Sequence, residues 1–195
     1  MITYLKKTKL FAGIIRFKLR PLALHLFSLF ALFYFINTNA QCDNYDYTLS
    51  SNQNNGYTFQ SGVTRIVGNV SIFNSTGATF NDGAVICISN GSTLKISNSA
   101  STGNVSFIVE EGELIFDQNP QFNASVNIKV SSKGILTASN TISFNGTKNT
   151  IYNEGIINVN QSLQFGSSTI NEFDNLGKVT YWRRNECCIC WFKSF

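Results

Sequence analysis

The residues that could do chemistry are few, and one group of them is acidic. Four carboxylates lie close together in the chain, on Glu110, Glu111, Glu113 and Asp117. Glycoside hydrolysis needs a converging pair of carboxylates, and a calcium ion needs several oxygen ligands. Successive side chains of a strand face opposite sides, so at most Glu111 and Glu113 share a face. We interpret the cluster as a solvated turn, with a calcium site as the alternative.

The second group is made of cysteines near the C-terminus, in the stretch "NECCICWFKSF". Cys187 and Cys190 have the Cys-x-x-Cys spacing of a redox pair or of half a zinc site. A zinc shell needs two more ligands, and the only histidine, His25, lies far away in the chain. We therefore predict no catalytic, cofactor-binding or metal-binding residues. The spacing leaves open the disulfide pairing of the five cysteines, which are Cys42, Cys87, Cys187, Cys188 and Cys190.

The N-terminal region has the order of a secretory signal. Six basic residues before residue 21 are followed by a sixteen-residue apolar run, Pro21 to Ile36, and by the small residues Thr38 and Ala40. This order predicts a signal peptide that is cleaved after Ala40. An uncleaved signal anchor is the alternative, but the run is shorter than the roughly 20 residues that span a bilayer. We expect an extracellular or outer-surface location, with no membrane span after signal removal.

Charge argues against nucleic acid as a partner. Six of the fifteen Lys and Arg residues lie in the leader, so nine remain after it against eleven Asp and Glu. Binding to nucleic acid calls for a clustered basic face, and the mature region has none.

Glycines recur at a nearly constant period along the rest of the chain. Their spacings are 23, 21, 22, 21 and 22 residues, and apolar residues follow each glycine at fixed offsets. In the copy at Gly91 one extra residue moves Leu94 and Ile96 into those offsets. The six glycines are Gly68, Gly91, Gly112, Gly134, Gly155 and Gly177.

A second landmark keeps the same period. Phe122, Phe144 and Phe165 each stand ten residues after one of the glycines. Each unit contains two or three short alternating strands joined by Gly, Asn and Ser turns. A single unit cannot bury its apolar face, whereas stacked units can. We therefore expect the three phenylalanines to form one interior column and the residues Leu114, Leu136, Ile157 and Val179 to form another.

The period predicts an all-β fold, a parallel β-solenoid (β-helix) of about six coils of about 22 residues, preceded by a signal-peptide helix. A β-sandwich or jelly roll is the alternative, which explains the alternation but not the period. The predicted organisation is a signal peptide over 1–40, an N-terminal cap over 41–62, solenoid repeats over 63–181 and an atypical Cys- and Trp-rich tail over 182–195. The change of composition in the tail suggests truncation of a longer parent chain with further coils.

The stretch "TIYNEGIINVN" carries the most specific structural prediction. A glycine inside an apparent strand marks a bend, a bulge or a close backbone approach. We expect Gly155 to occupy a corner between two strands, with positive φ. Stacking would place it directly between Gly134 and Gly177 of the neighbouring coils.

The residues before the glycines predict a ladder of charge. Glu111, Lys133 and Glu154 would alternate in sign along one exposed edge if the coils stack in register. Opposite charges on neighbouring strands stabilise a sheet slightly, whereas like charges destabilise it. Three unrelated solvated charges are the alternative.

The leader ending in "NAQC" and the repeats "NEGIINV" and "NLGKVTY" resemble secreted surface proteins of Bacteroidota-type bacteria. These are adhesin-like β-helical repeat proteins, and the resemblance covers roughly residues 20–181. It implies a structural or adhesive role at the cell surface or outer membrane, and it carries over no catalytic residue.

The expected function is that of a secreted or surface-exposed, non-enzymatic β-solenoid that serves as a structural or adhesive repeat module. Its expected partners are surface glycans or other cell-surface proteins, reached through shallow and repeated contacts. A carbohydrate-active β-helix enzyme, or a fragment of one, is the alternative. Such enzymes carry clustered carboxylates or basic residues on one face, whereas the repeats here contain a single arginine, Arg65, and scattered lysines.

Overall fold

The computed structural model describes residues 42–73, 77–166, 170–183 and 186–188, and the regular structure in these ranges is all β-strand. The predicted signal-peptide helix and most of the predicted tail lie outside the described residues. No helix in the described ranges is long and apolar enough to cross a membrane. The strands are β1 (Tyr47–Leu49), β2 (Tyr57–Phe59), β3 (Gly62–Ile66), β4 (Asn69–Ile72), β5 (Ala78–Phe80), β6 (Ala84–Ile88), β7 (Thr93–Ile96), β8 (Ala100–Ser101), β9 (Val105–Val109), β10 (Glu113–Phe116), β11 (Gln121–Phe122), β12 (Val126–Val130), β13 (Ile135–Ala138), β14 (Ile142–Phe144), β15 (Lys148–Asn153), β16 (Ile156–Val159), β17 (Leu163–Phe165), β18 (Ile170–Asn175), β19 (Lys178–Arg183) and β20 (Glu186–Cys188).

The strands wind into a coil with three faces. Face A contains β1, β3, β6, β9, β12, β15 and β18, and face B contains β4, β7, β10, β13, β16 and β19. Face C contains β2, β5, β8, β11, β14 and β17, with an isolated bridge between Ala78 and Ser99 joining its two parts. The chain visits A, B and C in turn, so five complete turns run from β3 to β17. β1 and β2 precede them, and β18 and β19 follow.

Neighbouring strands within each face are parallel, and they come from successive turns. The one exception is β20, which returns antiparallel along β19. Parallel pairing between turns confirms the predicted parallel β-solenoid. The alternative of a sandwich, which is built from antiparallel sheets, is wrong. β1 and β2, in the segment predicted as the N-terminal cap, pair in parallel with β3 and β5.

The register confirms the repeat, including its irregular copy. Leu94 pairs with Val70 on one side and with Leu114 on the other, so the extra residue lies in the turn before β7. The turn at that corner therefore absorbs a change of length without shifting the sheet. The predicted column is present on face B, where Leu114, Leu136, Ile157 and Val179 pair in order.

Along each strand, successive side chains point alternately into the core and towards the solvent. In β10, Leu114 and Phe116 are fully buried, while the alternate residues Glu113 and Ile115 face outward and are half-buried. Burial of one such side chain contributes about 1.5–3 kcal/mol. Stacked turns share these interior rows, and this is why the repeat is stable where a single turn would not be.

Stacked phenylalanine rings fill the interior along face C. The ring of Phe144 lies parallel to those of Phe122 and Phe165, with centroids 5.8 and 5.1 Å away. Phe59 and Phe80 stack in the same way at 5.3 Å nearer the N-terminal end. The predicted column of three is thus confirmed, and it has two further members.

One turn lacks a phenylalanine in this column, and another residue fills the gap. Ser101 pairs with Phe122 in β11, and its hydroxyl donates to the carbonyl oxygen of Gly103 at 2.6 Å. The ring of Phe107 enters from face A, with its centroid 5.5 Å from Phe80 and 6.0 Å from Phe122. Edge-to-face contacts of this kind keep the core packed across the small residue.

Asparagine replaces valine at two interior rows of face A in the last turns. Asn149 and Asn153 are fully buried, at positions in register with Val126 and Val130 of the preceding turn. The side-chain amide of Asn149 donates to Asn171 Oδ1 at 2.9 Å, and that of Asn153 donates to the equivalent atom of the following turn at 2.7 Å. Buried amides are tolerated when they are paired, so these rows form two polar ladders inside the coil.

Gly155 lies at the predicted corner, between β15 and β16, but the prediction of positive φ is wrong. It is not among the glycines with positive φ, whereas Gly68 and Gly91 are, both at +72°. A Cβ built on Gly155 would overlap the carbonyl oxygens of Gly134 and Ser131. Its place in the stack is confirmed, and the reason for glycine is close backbone approach between turns rather than a left-handed conformation.

This difference predicts losses of stability of different size for the same substitution at two corners. Gly155→Asn places a side chain against backbone and is expected to lower the free energy of unfolding by about 1–3 kcal/mol. At Gly68 nothing lies within 4 Å of a built Cβ, and asparagine tolerates positive φ, so Gly68→Asn is expected to cost at most about 1 kcal/mol. Chemical denaturation followed by circular dichroism measures both. Equal losses would contradict the assignment.

The phenylalanine column predicts a gradient of stability along the axis. Phe144→Ala removes a fully buried ring and is expected to cost about 3–5 kcal/mol. Phe165, in the last turn of the column, is 37% exposed. Phe165→Ala is therefore expected to cost clearly less in the same denaturation experiment. A larger loss at Phe165 than at Phe144 would show that the column is not organised as described.

Candidate functional site

The predicted alternation of charge is present in part at the corner between faces A and B. Glu111 and Lys133 form an ion pair between neighbouring turns, and both side chains remain largely in water. Glu154 in the following turn instead accepts a hydrogen bond from the Tyr152 hydroxyl, at 2.7 Å. Ion pairs at such exposed positions contribute about 0–1 kcal/mol. The corner charges therefore add little to stability.

Two other members of the acidic cluster, Glu113 and Asp117, have side-chain partners in neighbouring turns. Asp117 forms an ion pair with Lys95 at 3.0 Å. Glu113 accepts a hydrogen bond from the Thr137 hydroxyl at 2.8 Å. The described residues contain no group of three or more His, Cys, Asp and Glu placed to hold a metal ion. Glu111, Glu113 and Asp117 thus each contact a different side chain of a neighbouring turn.

The Tyr152–Glu154 contact changes the acidity of a surface phenol. The hydrogen bond to Glu154 raises the pKa of Tyr152 above its ordinary value, and burial and the charges of Glu154 and Asp174 act in the same direction. A phenol with a raised pKa stays protonated at neutral pH. Its role at this corner is to donate a hydrogen bond.

The outer surface of face A contains a recess that crosses four turns. Its volume is about 390 Å³. Outward-facing residues of β6, β9, β12 and β15 pair in one row and form its floor, and the corner between faces C and A forms one side. We call this recess the face A groove. It is lined by Gly83, Ala84, Val85, Asn104, Val105, Ser106, Ser125, Val126, Asn127, Lys148 and Thr150.

Hydrogen bonds between turns hold the corner side of the face A groove. The backbone N–H of Asn104 donates to Asp82 Oδ1, and the N–H of Ser125 donates to Asn104 Oδ1, each at 3.0 Å. The N–H of Lys148 then donates to Ser125 Oγ at 3.1 Å. Each side chain thus accepts from the turn that follows it, which fixes the polar groups at a spacing of one per turn.

The chemistry of the face A groove is that of neutral hydrogen bonding. Lys148 is the only charged residue among those that line it. On the floor, Thr150 Oγ1 donates to Asn127 Oδ1 at 2.8 Å, between neighbouring turns. Hydroxyl and amide groups of this kind both donate and accept hydrogen bonds. They suit a ligand with many hydroxyl groups better than a strongly charged one.

Two cysteines in the described part of the chain, Cys42 and Cys87, are in the disulfide form. Cys42 and Cys87 are both disulfide-bonded, and both are buried. Cys87 is at an outward position of β6, yet it is fully buried. The sequence left the pairing open because spacing does not reveal it. The disulfide state is typical of proteins from oxidising compartments.

Other predicted candidates fall outside the described residues. His25 and Cys190 lie there, as does the whole predicted leader. Cys187 and Cys188 belong to β20, which pairs antiparallel with β19. The structure therefore does not test whether Cys187 and Cys190 form a redox pair or part of a zinc site.

The face A groove was not predicted from the sequence. Its Asn, Ser and Thr residues are the same types that form turns throughout the chain, so composition does not distinguish them. A signal was nevertheless present, because the outward positions of four successive units all have small or short side chains there. Only the register shows that these positions are neighbours.

Comparisons with known proteins add no family. No protein-family model, no curated protein and no solved structure matches this chain. The parallel β-solenoid is established by the strand pairing of the chain itself.

The disulfide state predicts a redox-dependent stability. The double variant Cys42→Ser, Cys87→Ser is expected to lose about 2–5 kcal/mol of unfolding free energy. Without reductant, a peptide map of the alkylated wild type is expected to recover both residues in cross-linked peptides. Dithiothreitol is expected to destabilise the wild type by more than it destabilises the double variant. Free thiols at both positions in the folded, air-oxidised protein would contradict the assignment.

Proposed function

We propose that this chain is a secreted or surface-exposed, non-enzymatic β-solenoid that serves as a structural and adhesive repeat module. The observation that carries the proposal is the parallel stack of five turns, which repeats the same outward positions along one axis. Repetition of this kind gives a ligand several weak contacts at once, and linked contacts bind far more tightly than each contact alone.

Two features support export. The leader has the basic, apolar and small-residue order of a signal peptide. Cys42 and Cys87 are disulfide-bonded, and disulfides persist in secreted and cell-surface proteins rather than in reducing compartments. The resemblance of the leader and repeats to Bacteroidota-type surface proteins points the same way.

The proposed contact surface is the face A groove, and the proposed ligand is a surface glycan. The groove offers short hydroxyl and amide side chains in register over three of its four turns, and Val85 continues the same row in the remaining turn. A glycan chain laid along the axis would meet side-chain donors and acceptors at each of these three turns. The corner side of the groove is already held by hydrogen bonds between turns. The protein would therefore lose little conformational entropy on binding.

A glycan array on the folded mature chain, residues 41–195, tests this function. We expect binding to at least one neutral glycan. Ser106→Tyr fills the groove from the floor of face A and is expected to weaken that binding at least about tenfold. Ser143→Tyr makes the same change at an outward, half-buried position of face C and is expected to leave binding unchanged. Denaturation curves check that both variants fold.

Four results would overturn the proposal or one of its parts. One is the failure of the folded protein to bind any glycan or cell surface. Another is an equal effect of the two tyrosine variants, which would remove the groove as the contact surface. Cleavage of a polysaccharide by the purified chain would replace the adhesive role with the enzymatic alternative. Protease added to intact producing cells is expected to digest the chain, and full protection of the chain would exclude surface exposure.

A further inference from the structure

The three Asn-Gly pairs of the chain can undergo a reaction that needs no enzyme. In such a pair, the backbone nitrogen of the glycine can attack the side-chain carbonyl carbon of the asparagine. Glycine favours the attack because it has no Cβ in the way and a flexible backbone. A hydrogen bond from the same N–H opposes the attack, because it must break before the nitrogen can move. The pairs are Asn55–Gly56, Asn90–Gly91 and Asn145–Gly146.

Two of the pairs have their glycine N–H bonded to another part of the coil. The N–H of Gly56 donates to the carbonyl oxygen of Phe73 at 3.2 Å. The N–H of Gly91 donates to the carbonyl oxygen of Glu111 in the next turn. Pairing of backbone groups is the rule in folded proteins, and here it also restrains both nitrogens. We expect these two pairs to react only when the local structure opens.

At the third pair the glycine nitrogen is not restrained in this way. The N–H of Gly146 donates to no group in the part of the chain that the structure describes. The side chain of Asn145 is exposed to solvent. Its amide donates to Asn123 Oδ1 in the preceding turn at 3.2 Å, which is the long end of the usual range. One exposed hydrogen bond of this length restrains the carbonyl carbon of Asn145 only weakly.

We propose that Asn145 is a site of spontaneous deamidation in the folded chain. The nitrogen of Gly146 forms a bond to Cγ of Asn145, the bond from Cγ to Nδ2 breaks, and ammonia leaves with the proton of the N–H. The product is a cyclic succinimide. Water then opens the ring at one of its two carbonyl carbons. One opening gives aspartate, and the other gives isoaspartate, in which the main chain runs through the former side-chain carbonyl. Water is the only co-reactant.

Both products introduce a negative charge where the structure has a neutral amide. Asn145 belongs to a set of carboxamides that follow the phenylalanine column and pair between neighbouring turns, where Asn81 also donates to Gln60 Oε1, at 2.9 Å. A carboxylate has no N–H to donate, so the present hydrogen bond to Asn123 is lost. The reaction therefore converts a neutral corner between faces C and A into an acidic one.

Isoaspartate also lengthens the backbone at a corner that is tightly packed. A Cβ built on Gly146 would overlap the carbonyl oxygen of Ala124 in the preceding turn. The carbonyl oxygen of Gly146 accepts a hydrogen bond from the buried side-chain amide of Asn149, at 3.1 Å. An additional main-chain carbon therefore displaces groups on which the packing between turns depends. We expect the isoaspartate product to be less stable than the aspartate product.

Peptide mapping of the folded full chain tests the proposal. The protein is incubated at mildly alkaline pH, which favours loss of the N–H proton, and mass spectrometry then measures conversion at each site. Asn145 is expected to convert at least about tenfold faster than Asn55 and Asn90. In denaturant, where none of the glycine nitrogens is held by the fold, the three sites are expected to convert at similar rates.

The chain supplies an internal control and a matched variant. Asp82–Gly83 can form the same succinimide with loss of water, but the N–H of Gly83 donates to Asn104 O at 3.0 Å. Isoaspartate is therefore expected to form at residue 82 at least about tenfold more slowly than at Asn145 in the folded chain. Asn145→Gln keeps an amide but cannot form the five-membered ring, so it is expected to abolish conversion at this position alone.

The products give a second measurement. Ion exchange separates the acidic products from the unreacted chain, and the isoaspartate fraction is expected to unfold at a lower denaturant concentration than the variant Asn145→Asp. Equal conversion of the three pairs in the folded chain would overturn the proposal, as would faster conversion at Asn90 or no conversion at Asn145. The mapping uses no ligand, so none of these results bears on whether the face A groove binds glycans.

Discussion

Parallel hydrogen bonding between successive turns is the constraint on which the other features depend. A strand can pair in register with the strand one turn later only if small differences in length between turns are taken up at the corners and not within the strands. The period of about 22 residues follows from this requirement. The similarity of side chains within an interior column follows from the same requirement. Leu114, Leu136 and Ile157 lie in one column only because the register is kept. Even the irregular turn at Gly91 obeys it, since its extra residue lies at the corner rather than in β7.

The same constraint determines where polar chemistry is found. Residues that point outward at equivalent positions become neighbours in space, so short side chains in successive units create the face A groove, and acidic residues find partners in neighbouring turns. Glu113 and Asp117 are in contact with residues one turn away rather than with each other. Inside the coil, Asn149 and Asn153 are stable because the next turn supplies matching amides. A solenoid therefore converts a pattern repeated along the chain into continuous rows of one side-chain chemistry.

The fold could be predicted from the sequence because two independent landmarks, the glycines and the phenylalanines, kept one period. The finer features needed the register. The reason for Gly155 was mistaken because a glycine looks the same in sequence whether it is required by φ or by a carbonyl oxygen of the next turn. The replacement of a ring at Ser101 by Phe107 could not be predicted, since Phe107 belongs to another face. The disulfide state of Cys42 and Cys87 gave no signal in spacing. The face A groove could not be predicted because its Asn, Ser and Thr residues are of the same types that form turns elsewhere in the chain.

The stacking of turns along one axis also has a mechanical consequence. Tension applied along the axis of the coil acts parallel to the hydrogen bonds between turns. The hydrogen bonds between two turns are then broken one interface at a time, and the strands of a sheet are not sheared past each other all at once. The turn whose side chains are least buried is expected to open first. In the described part of the chain that is the turn of β18, where Ile170 is 63% exposed and Asn171 is also exposed. The amide hydrogen bonds from Asn149 and Asn153 to β18 hold this turn in place, so they are the first to resist unravelling, and the coil would extend stepwise under load rather than break in a single event.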